Sequence, residues 1–367
     1  MSDTDSEPPS QAEPSTLRTP IVAVLGHVDH GKTTLLDTIR GSTVSEGEAG
    51  AITQHIGATA VPLETVSEMA GALVNPVDFD LPGLLFIDTP GHHSFTTLRS
   101  RGGALADIAI LVVDVNDGFQ PQTIEALDIL QRTGTPFVIA ANKVDTTPGW
   151  NPNEATPIQQ TYDAQPSSTR SRLDESLYEI IGDLSDEGFS ADLYWRVQNF
   201  TQNIGVIPLS AITEEGVPDL LTVLMGLSQR YMRDQMTVDV GGPGAGTILE
   251  VKDERGFGAT VDVVLYDGSV REDDTVVVGG LDGSIHTDVR ALLQPRPNAE
   301  MRTESAFDTV ESVQAAAGVK IAAPDLVTAV AVVRLRVVRN RDKAIVVSEV
   351  ELELAEIIVT TADAGAV

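Results

Sequence analysis

The stretch “VAVLGHVDHGKTTLLDTI”, Val22 to Ile39, sets a short apolar run, a glycine-bracketed polar loop and a helix-like segment side by side. Within it “GHVDHGKT”, Gly26 to Thr33, fits the spacing G-x-x-x-x-G-K-[ST] between an expected strand and an expected helix, the context that this pattern requires. Glycines let such a loop curl until consecutive backbone N–H groups and the helix N-terminus converge on phosphate oxygens. The candidate phosphate-binding residues are Gly26, His27, Val28, Asp29, His30, Gly31, Lys32, Thr33 and the adjoining Thr34. Lys32 is placed to reach the β and γ phosphates, and the Thr33 hydroxyl to bind magnesium. Alone, so short a match is also what a plain glycine-rich turn looks like, so the rest of the domain has to decide.

Working outward, “GLLFI” leads into “DTPGHH”, Asp88 to His93. An Asp at the C-terminal end of a strand suits magnesium, and the Gly91 N–H suits a γ-phosphate. “PFVIAANKVD” puts Asn142, Lys143 and Asp145 just past another apolar run. A carboxylate there can accept both hydrogen bonds from the N1–H and N2 amino edge of guanine, which adenine lacks. “VIPLSA” sets Ser210 and Ala211 behind a further strand, where a backbone N–H can meet the guanine oxygen. Each of these pieces by itself also reads as a polar residue in an ordinary turn. Four in this order, each behind a strand, do not arise together by chance. The segment “GAITQHIGAT”, Gly50 to Thr59, lies between the first two and supplies Thr59 as a second hydroxyl for magnesium and γ-phosphate.

The wider grammar gives two architectures. From Pro20 to about Tyr231, continuous apolar runs alternate with helix-like segments such as “TIEALDILQRT”. This is the pattern of a doubly wound, mainly parallel sheet covered on both faces, an α/β domain. From about Met236 to Arg339, alternating β-rich runs are punctuated by “DERGFG”, “YDG” and “GGLDG”, the turn chemistry of an antiparallel β-barrel. Expected boundaries are a disordered acidic tail over 1–17, a nucleotide domain over 18–232, a barrel over 233–339, and a helix opening a further unit over 340–367. The connection from Thr146 to Gln202 is long enough to carry helices of its own, such as “RLDESLYEIIGDL”.

Composition narrows the class further. The 367 residues include no cysteine, which excludes disulfides and thiolate metal sites. No apolar run approaches the roughly 18 residues of a membrane span, and the N-terminus has no apolar signal core, so a cytoplasmic protein is expected. The 54 Asp plus Glu against 24 Lys plus Arg give a formal net charge of -30. Such a chain repels itself in ordinary salt. A solvated acidic surface suited to multimolar salt explains this, because the Debye length there is about 3 Å or less. An acidic face for a basic partner is the alternative, but the carboxylates are scattered and form no single tail.

“GHVDHGKT”, “DTPGH”, “NKVD” and “SA” resemble the motifs of translational GTPases. “GHHSFTTLRSRGGALADIAILVVDVNDGFQPQTIEALDIL”, with “AITQHIGAT” before it and “NKVDTTPGW” after it, is similar to archaeal and eukaryotic translation initiation factor 5B, relatives of bacterial initiation factor two. The likeness runs from about Thr19 to at least Pro297 and implies a halophilic archaeal source. It implies that GTP is hydrolysed to GDP, that Lys32 and Thr59 act with magnesium at the γ-phosphate, and that His92 positions the attacking water. Asn142, Lys143, Asp145, Ser210 and Ala211 would hold guanine, and Asp29 a monovalent cation. His93 is read as a solvent-exposed neighbour.

The implied partners are both ribosomal subunits with their rRNA, joined at the start codon, and other initiation factors. “GFQPQT” and “NKVDTTPGW” speak against a GTPase of the elongation-factor or selenocysteine type. The chain ends in “EVELELAEIIVTTADAGAV”, which resembles only the approach to the family's third domain. A truncated gene, a frameshift, a fragment or a split protein is expected. Contact with initiator tRNA is therefore not expected, and a nucleotide-binding fragment without ribosome-stimulated turnover is the alternative reading.

Overall fold

The computed structural model describes residues 16–41, 57–88, 106–153, 156–231, 233–238, 241–254, 256–281, 283–298, 307–331 and 333–338. In chain order the first part comprises β1 (Thr16–Leu17), β2 (Ile21–Gly26), α1 (Lys32–Arg40), β3 (Gly57–Pro62), α2 (Leu63–Ala70), β4 (Gly83–Asp88) and β5 (Ile108–Asp114). It continues with α3 (Pro121–Thr133), β6 (Phe137–Asn142), α4 (Ile158–Ala164), α5 (Ser167–Asp186), β7 (Ala191–Leu193), β8 (Ile204–Pro208) and α6 (Val217–Tyr231).

Seven of these strands form one sheet in the order β3-β4-β2-β5-β6-β8-β7. All neighbours run parallel except β3 against β4. The apolar runs are continuous because alternate residues feed opposite faces. Ala23, Leu111 and Ile139 pack with Leu127 of α3 and Leu177 of α5, whereas Val24, Ile110 and Val138 pack with Leu36 of α1 and Leu221 of α6. The chain winds to one side of β2 and then to the other. The crevice for a ligand therefore opens at the carboxyl end of β2.

The second part comprises β9 (Thr237–Val238), β10 (Ala245–Glu254), β11 (Gly258–Asp267), β12 (Ser269–Arg271), β13 (Thr275–Gly280), β14 (Gly283–Asp288), β15 (Ala291–Pro295), β16 (Phe307–Val310), β17 (Ser312–Gln314), β18 (Ala317–Ala322) and β19 (Arg334–Val338). Eight strands form an antiparallel sheet in the order β14-β13-β19-β10-β11-β18-β15-β16, with β12 and β17 as a separate ribbon. Val263, Val276, Ile321 and Leu335 from four different strands meet in one apolar core, joined by Val270 and Val313 of the ribbon, so the sheet wraps around its own interior.

The observed boundaries differ from the expected ones. Thr16–Leu17, assigned to the tail, pair with Thr237–Val238, and Leu17 packs on the nucleotide-domain core. Met236 is fully buried in that same core. Residues 233–238 thus close the first domain and do not open the barrel. Arg18, buried, fixes this corner with a bidentate ion pair of 2.6 Å to Asp107, which also accepts from the Ile21 N–H at 2.7 Å. The long connection carries α4, α5 and β7. Residues 1–15 and 339–367 lie outside the described residues, with the expected tail and final helix.

Candidate functional site

The sequence motifs meet at one edge of the sheet because β2, β4, β5, β6 and β8 are parallel and their carboxyl ends coincide. Gly26 ends β2, Asp88 ends β4, Asn142 ends β6, and Ser210 and Ala211 follow β8. The loop after Gly26 turns through Asp29, which is exposed with φ 69°, and Gly31, with φ 88°, into the first turn of α1 at Lys32, Thr33 and Thr34. A Cβ on Gly31 would sit 2.4 Å from Asn142 Nδ2. Only glycine allows that approach.

Asn142, 2% exposed, is the centre of a web. Its Nδ2 donates to the His30 carbonyl at 2.8 Å, and its Oδ1 accepts from the Ala211 N–H at 3.0 Å. Thr38 of α1 donates to the Ala211 carbonyl at 2.6 Å. One side chain thus locks the phosphate loop to the loop after β8. Beside it, Lys143 has φ 69° and starts the short 3-10 turn Val144–Thr146 that carries Asp145. Asp145 is half-buried, and its Oδ1 is buried without a hydrogen-bond partner. A buried acceptor left open is a place for a ligand's donor.

Lys32 donates to the carbonyls of Gly26, at 3.0 Å, and His27, at 2.8 Å. Burial lowers its pKa, and the carboxylates of Asp88 and Asp29 oppose that shift. His30 is fully buried, and burial lowers its pKa too. The Val112 carbonyl, 3.3 Å from its Nδ1, selects the Nδ1–H tautomer and counteracts the shift, while His27 adds to it. The two rings meet edge to face with centroids 5.0 Å apart.

The structure adds constraints at three of the expected site residues, Thr59, Ser210 and Ala211. Thr59 is in the body of β3, opposite Phe86 and two residues from the Gly57–Asp88 pair that ends the ladder, so about 7 Å down from the phosphate edge. It is 1% exposed, and its hydroxyl has no hydrogen-bond partner. For Thr59 to close over a metal, β3 would have to peel from β4. Ser210 and Ala211 are also committed: Ser210 N–H donates to the Glu215 carbonyl at 2.9 Å, and Ala211 N–H to Asn142. A guanine oxygen would share the Ala211 donor with Asn142. Gly91, His92 and His93 lie outside the described residues.

Other residues of the site were missed in the sequence. Asp114, at the end of β5, accepts from Lys143 Nζ at 2.7 Å and from Asn116 N–H and Nδ2 at 2.9 Å each. Burial pushes its pKa up, but these donors outweigh that and hold it low. The signal was available, since “IAILVVD” ends like “GLLFID”. Gln122 accepts from the Val28 N–H at 3.2 Å and braces the phosphate loop from α3.

Residues 17–230 match the family model described as the elongation factor Tu GTP-binding domain. A relative described as “Probable translation initiation factor IF-2” from Haloquadratum walsbyi is 83% identical over 96% of this chain and 57% of its own length. Its counterpart from Haloarcula marismortui is 70% identical over the whole chain and 61% of its own length. The chain belongs to the family of the elongation factor Tu GTP-binding domain. It spans about three fifths of the length of these curated relatives. The crystal structure of GDP-bound aIF5B from Aeropyrum pernix is 48% identical with a TM-score of 0.83, covering 93% of this chain and 57% of that one. A bacterial selenocysteine-specific elongation factor, at 22% identity and TM-score 0.56, shares the fold.

Proposed function

We propose that the chain binds GTP and GDP at the carboxyl edge of the parallel sheet and hydrolyses GTP to GDP and phosphate during translation initiation. The observation that carries this reading is the open, buried Asp145 oxygen beside the Asn142 web. A carboxylate there takes the N1–H and N2 amino group of guanine, and the glycine-lined loop takes the phosphates. Lys32 exchanges its two loop carbonyls for phosphate oxygens, and the α1 N-terminus adds N–H groups. Thr33 and Asp88 would hold magnesium; few protein oxygens are needed where phosphates complete the shell. When bound, magnesium neutralises charge on the β and γ phosphates. Thr59 is assigned to the strand and not to the metal. Asp29, exposed next to Lys32, is assigned a monovalent cation.

For hydrolysis, His92 holds the attacking water in line with the γ-phosphorus, while Lys32 balances the charge that develops there. Loss of the γ-phosphate frees the Gly91 N–H and relaxes the switch segments. That change sets affinity for the ribosome, the partner proposed for the GTP form in subunit joining. A cytoplasmic location goes with this role; among the described residues no helix is long and apolar enough to cross a membrane.

The test is GTP hydrolysis by this chain in multimolar potassium chloride, with and without ribosomes from a salt-adapted archaeon and with ATP as control. The expected result is GTP-specific turnover raised by ribosomes and lost in His92→Ala while GDP binding persists. Tight guanine binding with no stimulation supports the second reading, a nucleotide-binding unit without ribosome-stimulated turnover. No preference for guanine over adenine refutes both.

A further inference from the structure

The loop after β8 is held from behind by a carboxylate that the nucleotide chemistry above does not use. Glu215 is fully buried. Its oxygens accept from Trp150 Nε1 at 3.3 and 3.2 Å, from the Asn153 N–H at 2.9 Å and from the Thr213 hydroxyl at 2.6 Å. Its own carbonyl accepts from Ser210 N–H at 2.9 Å, which closes the turn that presents Ala211. The Ser210 hydroxyl caps the same turn, accepting from the Ile212 and Thr213 N–H groups at 3.3 and 3.1 Å. Gly216 ends the turn with φ 73°, where a Cβ would sit 2.3 Å from the Pro208 carbonyl.

Trp150 belongs to the other guanine-side loop. Its N–H donates to the Thr147 carbonyl at 2.9 Å, and the Thr147 N–H donates to Val144 at 3.0 Å. Thus the turn that carries Asp145 runs without a break into the indole. Trp150 is itself nearly buried, so this indole N–H has no solvent to replace the carboxylate. The Asp145 loop and the Ala211 loop are joined in front by Asn142 and behind by Glu215.

We propose that Glu215, through Trp150 and Thr213, is a positioning residue for guanine recognition: it sets the separation of Asp145 from the Ala211 turn and thereby the discrimination of guanine from other purines. This rests on the guanine reading proposed above. The ligand class is a purine nucleoside diphosphate whose 2-amino group is read by Asp145. Glu215 does not touch the base.

The test compares affinities for GDP and inosine diphosphate, which lacks only the 2-amino group, in the wild type, Glu215→Gln and Trp150→Phe. A glutamine keeps the shape but supplies one acceptor for donors that now share two oxygens. Phenylalanine keeps the aromatic bulk and removes the indole donor. The wild type should favour GDP by at least about tenfold, the discrimination expected of one hydrogen bond to a carboxylate. Glu215→Gln should weaken GDP by about tenfold and inosine diphosphate by less than about threefold, so that the preference falls, with Trp150→Phe in the same direction and the double variant no worse than Glu215→Gln. If Glu215→Gln does not fold, Trp150→Phe decides. A wild-type preference kept in folded variants, even with a lowered unfolding midpoint, makes Glu215 a structural brace and overturns the proposal alone. No preference in the wild type overturns the guanine reading, and this proposal with it.

Discussion

Replacing Asn142 with Ala separates a web that organises the site from one that merely fills it. The change removes two hydrogen bonds and leaves two groups behind, the His30 carbonyl and the Ala211 N–H, both buried among neighbours that offer no other partner in the web. An unpaired buried polar group costs about 1 to 3 kcal/mol, so the pair sums to about 2 to 6 kcal/mol. Removing the amide also opens room for a water to satisfy one of them, which puts the expectation at the lower end, about 2 to 3 kcal/mol. If binding requires the phosphate loop and the Ala211 loop to be in register, that energy must be supplied by the ligand. The affinity for GDP should then fall about 25- to 150-fold. Asn142→Asp sharpens the argument. It keeps an acceptor for Ala211 N–H but places an oxygen where Nδ2 stands, 2.8 Å from the His30 carbonyl. Repulsion there should make it weaker than the alanine variant despite its closer shape. The assay is titration with a fluorescent GDP analogue in multimolar potassium chloride, alongside urea unfolding. A folded alanine variant that binds within about threefold of the wild type would refute the idea that this web preorganises the site.

Asp145→Asn should cost at least about a hundredfold in GDP affinity, because one of two charge-assisted hydrogen bonds is lost and the new amide N–H faces the 2-amino donor, and should gain xanthosine diphosphate, whose 2-oxygen accepts from that amide; competition binding reads both. Thr59→Val removes a buried hydroxyl that has no partner, so unfolding should be unchanged or harder and magnesium-dependent GTP binding should stay within about threefold. A tenfold loss would restore Thr59 to the metal. His30 gives a pH dependence. Its folded pKa lies below the ordinary value because of burial, so the unfolded chain takes up the proton first as pH falls through about 6.5. The unfolded state then binds more protons, and stability is lost on acidification. Urea midpoints at pH 7.5 and 5.5 should differ less in His30→Asn than in the wild type, and equal differences would count against a buried neutral His30.

What was legible in the sequence was what strand periodicity carries. “IVAVLG”, “GLLFID” and “PFVIAAN” could be read as two-sided buried strands, and the residue ending each then fell at the ligand edge by topology alone. The web was not legible. Asn142 stands 112 residues from His30 and 69 from Ala211, and nothing local in the sequence signals such a pairing. The same holds for Glu215 and Trp150, 65 apart. The position of Thr59 inside a strand was not legible for a different reason: nothing in “GAITQHIGAT” marks Gly57, two residues ahead of it, as the start of β3. The tail boundary failed because a two-residue strand has no periodicity to detect, and Leu17 is recognisable as core only once Thr237–Val238 lies beside it.

The barrel matters to the site through β3. The Asn298 N–H donates to the Ala60 carbonyl at 3.0 Å, and its Nδ2 to the Thr65 hydroxyl at 3.2 Å. Ala58 lies in the same apolar cluster as Leu249, Val264 and Ala316 of the barrel. On its other edge β3 is laddered to β4, so that Gly57 stands opposite Asp88. One six-residue strand is thereby bound to the barrel on one side and to a residue of the phosphate edge on the other. A shift of β3 against β4 cannot occur without moving the barrel or breaking the Asn298 bonds. Hydrogen bonds and packing are what transmit force there. They do so across the one antiparallel pairing of the sheet, where β3 forms the edge and has no second neighbouring strand to restrain it.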